Sequence, residues 1–188
     1  MAKKNVLAFL AAFVISIPAF AADTGGYLFG MVGQTKVKDA PDFGPGVSVD
    51  DTDTGFKIGG GYAFHRNFGV EAAYVDLGKA TASAGGQSAE LKASGISVVA
   101  VGMLPLGQNF SLLGRLGFIN ATVKLSAPGF SDDTTDMKTT FGIGASYNFT
   151  PKFAVRADYD VYQKLGDNDT TGGESDVDMI SIGVVYKF

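Results

Sequence analysis

The 188-residue sequence contains no cysteine and no tryptophan, and it has one histidine, His65. Without cysteine the chain has neither disulfide bonds nor a thiolate that binds metal or acts as a nucleophile. His65 lies in a predicted short turn, and no Ser/His/Asp set for nucleophilic catalysis accompanies it. We therefore expect no enzymatic activity, no catalytic residue, no cofactor and no metal site.

Positive charge is also scarce. The chain has 15 Lys and Arg against 19 Asp and Glu, a net charge of −4. Removal of residues 1–21 as a signal peptide would take away Lys3 and Lys4, leaving 13 basic residues against 19 acidic and a net charge of −6. Binding to nucleic acid requires a basic surface. The charge balance therefore argues against a nucleic-acid partner.

The sequence lacks an apolar run that would make a transmembrane helix outside its first residues. The longest uncharged run, residues 93–114, is interrupted by Gly95, Gly102, Pro105 and Gly107. Its middle, LPLGQN, is typical of a turn. Two strands joined by that turn fit the run better than one helix.

Residues 1–21 have the pattern of a secretory signal peptide. Lys3 and Lys4 form a positive start, residues 6–17 form an apolar core, and Ala19 and Ala21 fit the small-residue cleavage pattern. The core of 12 residues is too short to span a bilayer as a helix. A cleaved signal peptide is therefore favoured over an uncleaved membrane anchor, and residues 22–188 are predicted to form one domain.

Glycine is abundant, at 26 residues, about twice the usual share, and it alternates with apolar residues. Near the end of the chain, Ile180, Ile182 and Val184 fall on one face, and Ser181 and Gly183 fall on the other. Successive side chains of a strand point to opposite faces. The same period predicts eight strands, at residues 27–37, 54–64, 68–78, 90–106, 110–125, 137–149, 153–165 and 177–188.

Short turns alternate with long polar connections between these strands. The long connections are residues 38–53, 79–89, 126–136 and 166–176. Seven aromatic residues gather at the short-turn end: Phe64, Phe68, Phe110, Phe149, Phe153, Tyr186 and Phe188. Short turns on one side, long loops on the other and an aromatic girdle are typical of a membrane barrel, which must close because backbone groups in lipid need partners. The predicted fold is all-β, an eight-stranded antiparallel up-and-down transmembrane β-barrel.

The charged residues in the middle of the strands all share the face of small residues. They are Lys57, Glu71, Arg115, Arg156, Asp158 and Asp160. A cation on the lipid face near the bilayer midplane would cost about 2–4 kcal/mol. The apolar face must therefore contact lipid, and these charges must lie in the lumen, which eight strands make narrow enough for side chains to fill.

Over residues 55–188 the chain resembles the transmembrane domain of OmpA-type outer-membrane proteins. The stretches that carry the resemblance are GGGYAF, FGVEAAYVDLG, SGISVVAVGMLPL, LLGRLGF, TPKFAVRADYDVY and MISIGVVYKF. The resemblance implies a location in the outer membrane of a Gram-negative bacterium. The family's peptidoglycan-binding domain has no counterpart in these 188 residues, so we expect a barrel-only protein.

The resemblance also implies a plug of salt bridges inside the barrel. The family's inner charges fall on Glu71, Arg115, Arg156 and Asp158. Two charged positions of the family's gate are changed, to Val101 and Ser146, so we do not expect a switching gate of that kind. A static buried ion network is favoured over a conduction path through these residues.

The expected function is a structural and surface-interaction role in the outer membrane, with a narrow passive pore as the alternative. The predicted partners are outer-membrane lipid and lipopolysaccharide, the outer-membrane assembly machinery, and host or cell-surface ligands at the four long connections. The assembly machinery would recognise the last strand, which ends at Phe188. The Asp clusters of those connections do not match an EF-hand loop. Solvated surface charge is favoured over divalent-cation binding there.

Overall fold

The structure, a computed structural model, describes residues 24–38, 47–84, 87–127, 130–166 and 174–188. These residues form nine β-strands and contain no helix that is long and apolar enough to cross a membrane. The strands are β1 (Gly25–Val37), β2 (Val47–Asp50), β3 (Thr52–His65), β4 (Phe68–Ala84), β5 (Gln87–Leu106), β6 (Phe110–Ala127), β7 (Phe130–Asn148), β8 (Phe153–Leu165) and β9 (Ser175–Lys187).

The eight long strands close into a barrel. Each pairs antiparallel with its neighbours in the chain, and β1 pairs with β9 from Tyr27↔Lys187 to Val37↔Val177. This seam removes the free edges that a lipid environment does not tolerate. The predicted eight-stranded barrel is confirmed. The sequence did not predict the short β2, which pairs with the outer end of β4 over Val47↔Ala84 to Asp50↔Thr81.

The outer surface of the barrel is an apolar band. Side chains such as Ile58, Ile143 and Ile182 are more than half exposed, whereas their chain neighbours on the other face are buried or glycine. The two faces are thus inverted relative to a soluble protein, because the surrounding solvent is hydrocarbon. The prediction that the apolar face lies on the outside of the barrel agrees with this pattern.

Aromatic side chains ring the short-turn end, as expected. The rings of Phe153 and Tyr186 have centroids 5.0 Å apart, and those of Tyr186 and Phe188 lie 5.4 Å apart. Phe149 stacks on Phe153 at 6.2 Å across the β7–β8 turn. Such a belt of rings suits the interface between hydrocarbon and headgroups.

The predicted long connections are wrong in their extent. Residues 79–84 and 87–89 belong to β4 and β5, and residues 126–127 and 130–136 belong to β6 and β7. The polar residues there form hairpins that continue the barrel wall, held by cross-strand pairs such as the 2.9 Å hydroxyl contact of Thr122 with Thr135. In the other two connections, residues 47–50 form β2, residues 52–53 begin β3 and residues 175–176 begin β9, while residues 39–46 and 167–173 lie outside the described residues.

Candidate functional site

Six charged side chains meet in the middle of the lumen. They come from β3, β4, β6 and β8, at positions where the alternation of each strand turns the side chain inward. All are almost fully buried, and we call this set the lumen network: Lys57, Glu71, Arg115, Arg156, Asp158 and Asp160. Three cations face three carboxylates, so the formal charges of the network sum to zero.

Asp158 is the centre of the lumen network. Its Oδ2 accepts a hydrogen bond from Lys57 Nζ at 3.0 Å, lies 3.1 Å from Arg156 Nε, and accepts another from Arg115 Nη1. The side chain is 0% exposed. Hydrogen bonds between charged groups are stronger than those between neutral groups. Because the Asp158 side chain is buried among three cations, no solvent contact competes with them.

Two arms extend from this centre. On one side, Asp160 binds Lys57 Nζ, and its Oδ1 lies 2.9 Å from Arg115 Nη2. On the other side, Arg156 donates from Nη1 to Glu71 Oε1 at 2.6 Å, and its guanidinium lies 4.5 Å from the centre of the Phe29 ring. Since the network links β3, β4, β6 and β8, it braces the barrel across its lumen.

Backbone glycine makes room for two of these carboxylates. In the register of β7 and β8, Gly142 pairs with Asp160 and Gly144 with Asp158. A Cβ atom at Gly142 would lie 2.2 Å from Asp160 Oδ1, and one at Gly144 would lie 2.4 Å from Asp158 Oδ1. The inward glycines are therefore part of the site, because any side chain there would displace an ion-paired acid.

The structure brings together the four residues that the sequence singled out, Glu71, Arg115, Arg156 and Asp158. Their functional role stays a prediction. Lys57 and Asp160 also belong to the network; the sequence placed them on the inner face but not in the cluster. Tyr27, whose hydroxyl donates to Glu71 Oε1 at 2.8 Å, was missed entirely. Alternation in the first strand would have placed its ring in the lumen.

An apolar layer covers the network on the side of the long connections. Val75, Ile119 and Met179 have no exposed surface, and Tyr162 and Leu165 pack in the same cluster. Val75 and Ile119 each follow a network residue, Glu71 and Arg115, by four positions toward the outer hairpins. Below the network, at the short-turn end, the lumen contains a cavity of about 530 Å³.

The polar surface beyond the apolar band is crossed by ion pairs. Lys79 Nζ lies 2.8 Å from Glu90 Oε1 between β4 and β5, and Lys138 Nζ lies 2.8 Å from Glu174 Oε1 between β7 and the start of β9. The hydrogen bond to Glu90 raises the pKa of Lys79. The Lys79–Glu90 pair is exposed, and exposed ion pairs contribute little stability, so this pair does not hold the barrel together.

The other sequence candidates form no second site in the described residues. His65 is exposed at the short-turn end, where its Nδ1 accepts a hydrogen bond from the Asn67 N–H at 3.2 Å. Among the described residues no three His, Asp or Glu side chains are grouped so that they could hold a metal ion. Val101 and Ser146, the changed gate positions, lie on the inner face, and Val101 is buried.

A family model described as "Outer membrane protein beta-barrel domain" matches residues 7–188. The sequence is 28% identical to outer membrane protein A of Shigella flexneri over 99% of this chain and 56% of the relative, and 27% identical to that of Salmonella typhi over 99% and 55%. The chain therefore spans about half the length of these curated relatives.

Solved structures of small outer-membrane barrels have the same fold. The attachment invasion locus protein Ail of Yersinia pestis has a TM-score of 0.57 at 21% identity, covering 87% of this chain and 99% of that one. Neisserial surface protein A has a TM-score of 0.59 at 20% identity, covering 87% and 97%. OprG of Pseudomonas aeruginosa has a TM-score of 0.56 at 16% identity, covering 88% and 97%. At these identities the likeness shows the fold alone.

Proposed function

Because the chain belongs to the outer membrane protein β-barrel domain family, and is thus a protein of the Gram-negative outer membrane, we propose that its role is structural and adhesive. The barrel stabilises the membrane, and its outer hairpins bind ligands on other cells or host proteins. The observation that carries this proposal is the filled lumen. The ion-paired network and the fully buried layer of Val75, Ile119 and Met179 leave the middle of the barrel packed with side chains.

The length of the strands supports the surface role. A strand needs about 9–11 residues to cross a bilayer, but β6 has 18 residues and β7 has 19. β7 pairs with β8 only from Thr140 onward, so residues 130–139 form a hairpin with β6 above the rest of the wall. At about 3.3 Å per residue that hairpin rises well beyond the headgroups and presents Asp132 and Asp133, which are exposed.

The proposed ligands bind at residues 38–53 and 166–176 and at the outer hairpins over residues 79–89 and 126–136. Lipopolysaccharide is proposed as the neighbour of the apolar band in the outer leaflet. The last strand, which ends at Phe188, is proposed as the segment that the assembly machinery recognises. Residues 1–21 are proposed to be removed as a signal peptide during export.

A narrow passive pore is the second candidate, and the cavity at the short-turn end favours it. That cavity reaches inward as far as Glu71 and Arg156. Conduction would further require the network and the apolar layer to open together. No enzymatic activity is proposed.

Two measurements on the purified protein separate these functions. In planar bilayers we expect no steady conductance, whereas a channel that disappears in Glu71→Gln or Arg156→Ala would establish the pore.

Beads coated with the protein should adhere to cultured epithelial cells. Adhesion should fall when residues 124–133 are replaced by an Asn-Gly turn, which keeps the pairing of β6 and β7 below it. Adhesion that is unchanged by this replacement would contradict a role for this hairpin. Release of acyl chains or peptides would indicate an enzyme instead.

A further inference from the structure

The cavity at the short-turn end is formed by residues from several turns and strands. Its lining includes residues of all three short turns and the end of β9, and its inner end is formed by Glu71 and Arg156. The short turns of bacterial outer-membrane barrels face the periplasm. A ligand would therefore enter this cavity from the periplasmic side.

Cations dominate the mouth of the cavity. Arg66 comes from the β3–β4 turn, Lys152 from the β7–β8 turn and Lys187 from β9, and all three line the same space. Among the described lining residues Glu71 has the one acidic side chain, and its carboxylate is already bound by Arg156 at 2.6 Å and Tyr27 at 2.8 Å. The mouth therefore has an excess of positive charge.

The cations at the turns are available to a ligand. In the part of the chain that the structure describes, neither Arg66 nor Lys152 has an acidic partner within 4.0 Å. The hydroxyls of Ser111 and Ser146 line the same wall and add neutral donors. The charge is also specific to this end, because the acid-rich segments of the sequence lie in the outer connections.

We propose that this cavity, the periplasmic vestibule, binds a phosphate-bearing anion. A volume of about 530 Å³ lies in the range of about 300–1,000 Å³ that holds small ligands. Arg and Lys form charge-assisted hydrogen bonds with phosphate oxygens, and here they approach one space from three separate elements. The phosphate group belongs either to a soluble periplasmic solute or to the headgroup of an inner-leaflet lipid.

Titration of the protein with pyrophosphate in phosphatidylcholine nanodiscs tests the proposal. We expect saturable shifts of the backbone amide resonances of Ser111 and Ser146, and no shift at Thr135 in the outer hairpin. Calorimetry should show an affinity about tenfold or more weaker in Arg66→Gln/Lys152→Gln, because this variant removes two charge-assisted contacts and a loss of about 1.4 kcal/mol in total already corresponds to tenfold. The matched control is Lys92→Gln/Lys124→Gln, which removes two cations from the outer end and should bind as the wild type does.

Nanodiscs that contain phosphatidylglycerol distinguish the two sources. If the ligand is a lipid headgroup, phosphatidylglycerol alone produces the shifts at Ser111 and Ser146 and competes with pyrophosphate. If it is a solute, the pyrophosphate affinity is the same in both nanodiscs. Heat-dependent gel mobility checks that the double variant is folded, and the single variants replace it if it is not. The absence of saturable shifts with both probes, or an unchanged affinity in the cavity variants, overturns the proposal.

Discussion

At the scale of single residues, Asp158 balances more charge than any other member of the lumen network. Its Oδ2 contacts Lys57, Arg115 and Arg156, and its side chain has no exposed surface. Asp158→Asn leaves three buried cations facing two carboxylates, so we expect the free energy of unfolding to fall by about 3–5 kcal/mol. Urea titration of the protein refolded in lipid vesicles measures this change.

The matched control for that substitution is Asp132→Asn in the exposed outer hairpin, which should change the free energy of unfolding by less than about 0.5 kcal/mol. A loss below about 1 kcal/mol in Asp158→Asn, against the several kcal/mol expected for breaking a buried pair, would mean that water or a rearranged network replaces the missing charge.

Also at the residue scale, Gly142 and Gly114 form a test pair on adjacent strands. A methyl group at Gly142 would meet Asp160 Oδ1 at 2.2 Å and the Tyr159 carbonyl at 2.7 Å, whereas one at Gly114 would have no atom within 4 Å. We expect Gly142→Ala to destabilise the barrel by about 1–3 kcal/mol through overpacking. Gly114→Ala should be neutral or slightly stabilising. Equal effects in the same urea titration would show that the lumen yields to the added methyl group.

The membership of the lumen network was largely predictable from the sequence, because the period of two assigns a face to each charged residue. The residues that each member of the network contacts across the lumen were not predictable. Tyr27 contacts Glu71 over 44 residues of sequence, and Arg156 Nη2 lies 3.5 Å from Met31 Sδ over 125 residues. Such contacts depend on the radius and stagger of the closed barrel, which no local pattern contains.

At the scale of strands, the short-turn ends were predicted well, whereas the outer ends of β4, β5, β6 and β7 were not. β8 has the predicted bounds, 153–165, and its apolar and charged faces are clear. By contrast, SDDTTD in β7, residues 131–136, is polar on both faces and was predicted as a loop. It forms a strand because Thr side chains favour extended structure and because β6 pairs with it. The alternation of apolar and polar residues therefore ends where the membrane ends, whereas the strand continues beyond it.

The depth of each strand position in the bilayer leads to a further prediction. Ile182 in β9 and Met137 in β7 are both highly exposed on the outer face, but Ile182 lies near the middle of its strand and Met137 lies in the outer hairpin. Ile182→Arg should therefore lower the free energy of unfolding by about 2–4 kcal/mol, and Met137→Arg by no more than about 1 kcal/mol. Equal costs in vesicle unfolding would place both positions at the same depth.

At the scale of the whole molecule, the lumen is stacked in three layers along its axis. The cationic vestibule lies at the short-turn end, the neutral ion network in the middle, and the apolar layer toward the outer hairpins. The barrel is thus polar and open to the periplasmic side but packed toward the cell surface. This asymmetry would let the proposed surface binding and the proposed periplasmic anion binding belong to one small barrel without a continuous path between them.

All of these layers depend on closure of the barrel between β1 and β9, which an engineered disulfide tests. Gly30 pairs with Val184 across this seam, both face outward, and a Cβ at Gly30 meets no atom within 4 Å. Facing residues of antiparallel strands have Cα atoms about 4.5–5.5 Å apart, which suits a disulfide. Because the chain has no cysteine of its own, Gly30→Cys/Val184→Cys should form a single internal bond when the folded protein is oxidised. On a denaturing gel the boiled, oxidised variant should migrate faster than its reduced form.

The control is Gly30→Cys/Ile143→Cys, since Ile143 lies in β7, two strands beyond β9. This control variant should remain reduced or form bonds between different molecules. If the seam pair stays reduced in membranes while the unheated protein still shows folded mobility, β1 and β9 are not neighbours and the sheet closes elsewhere.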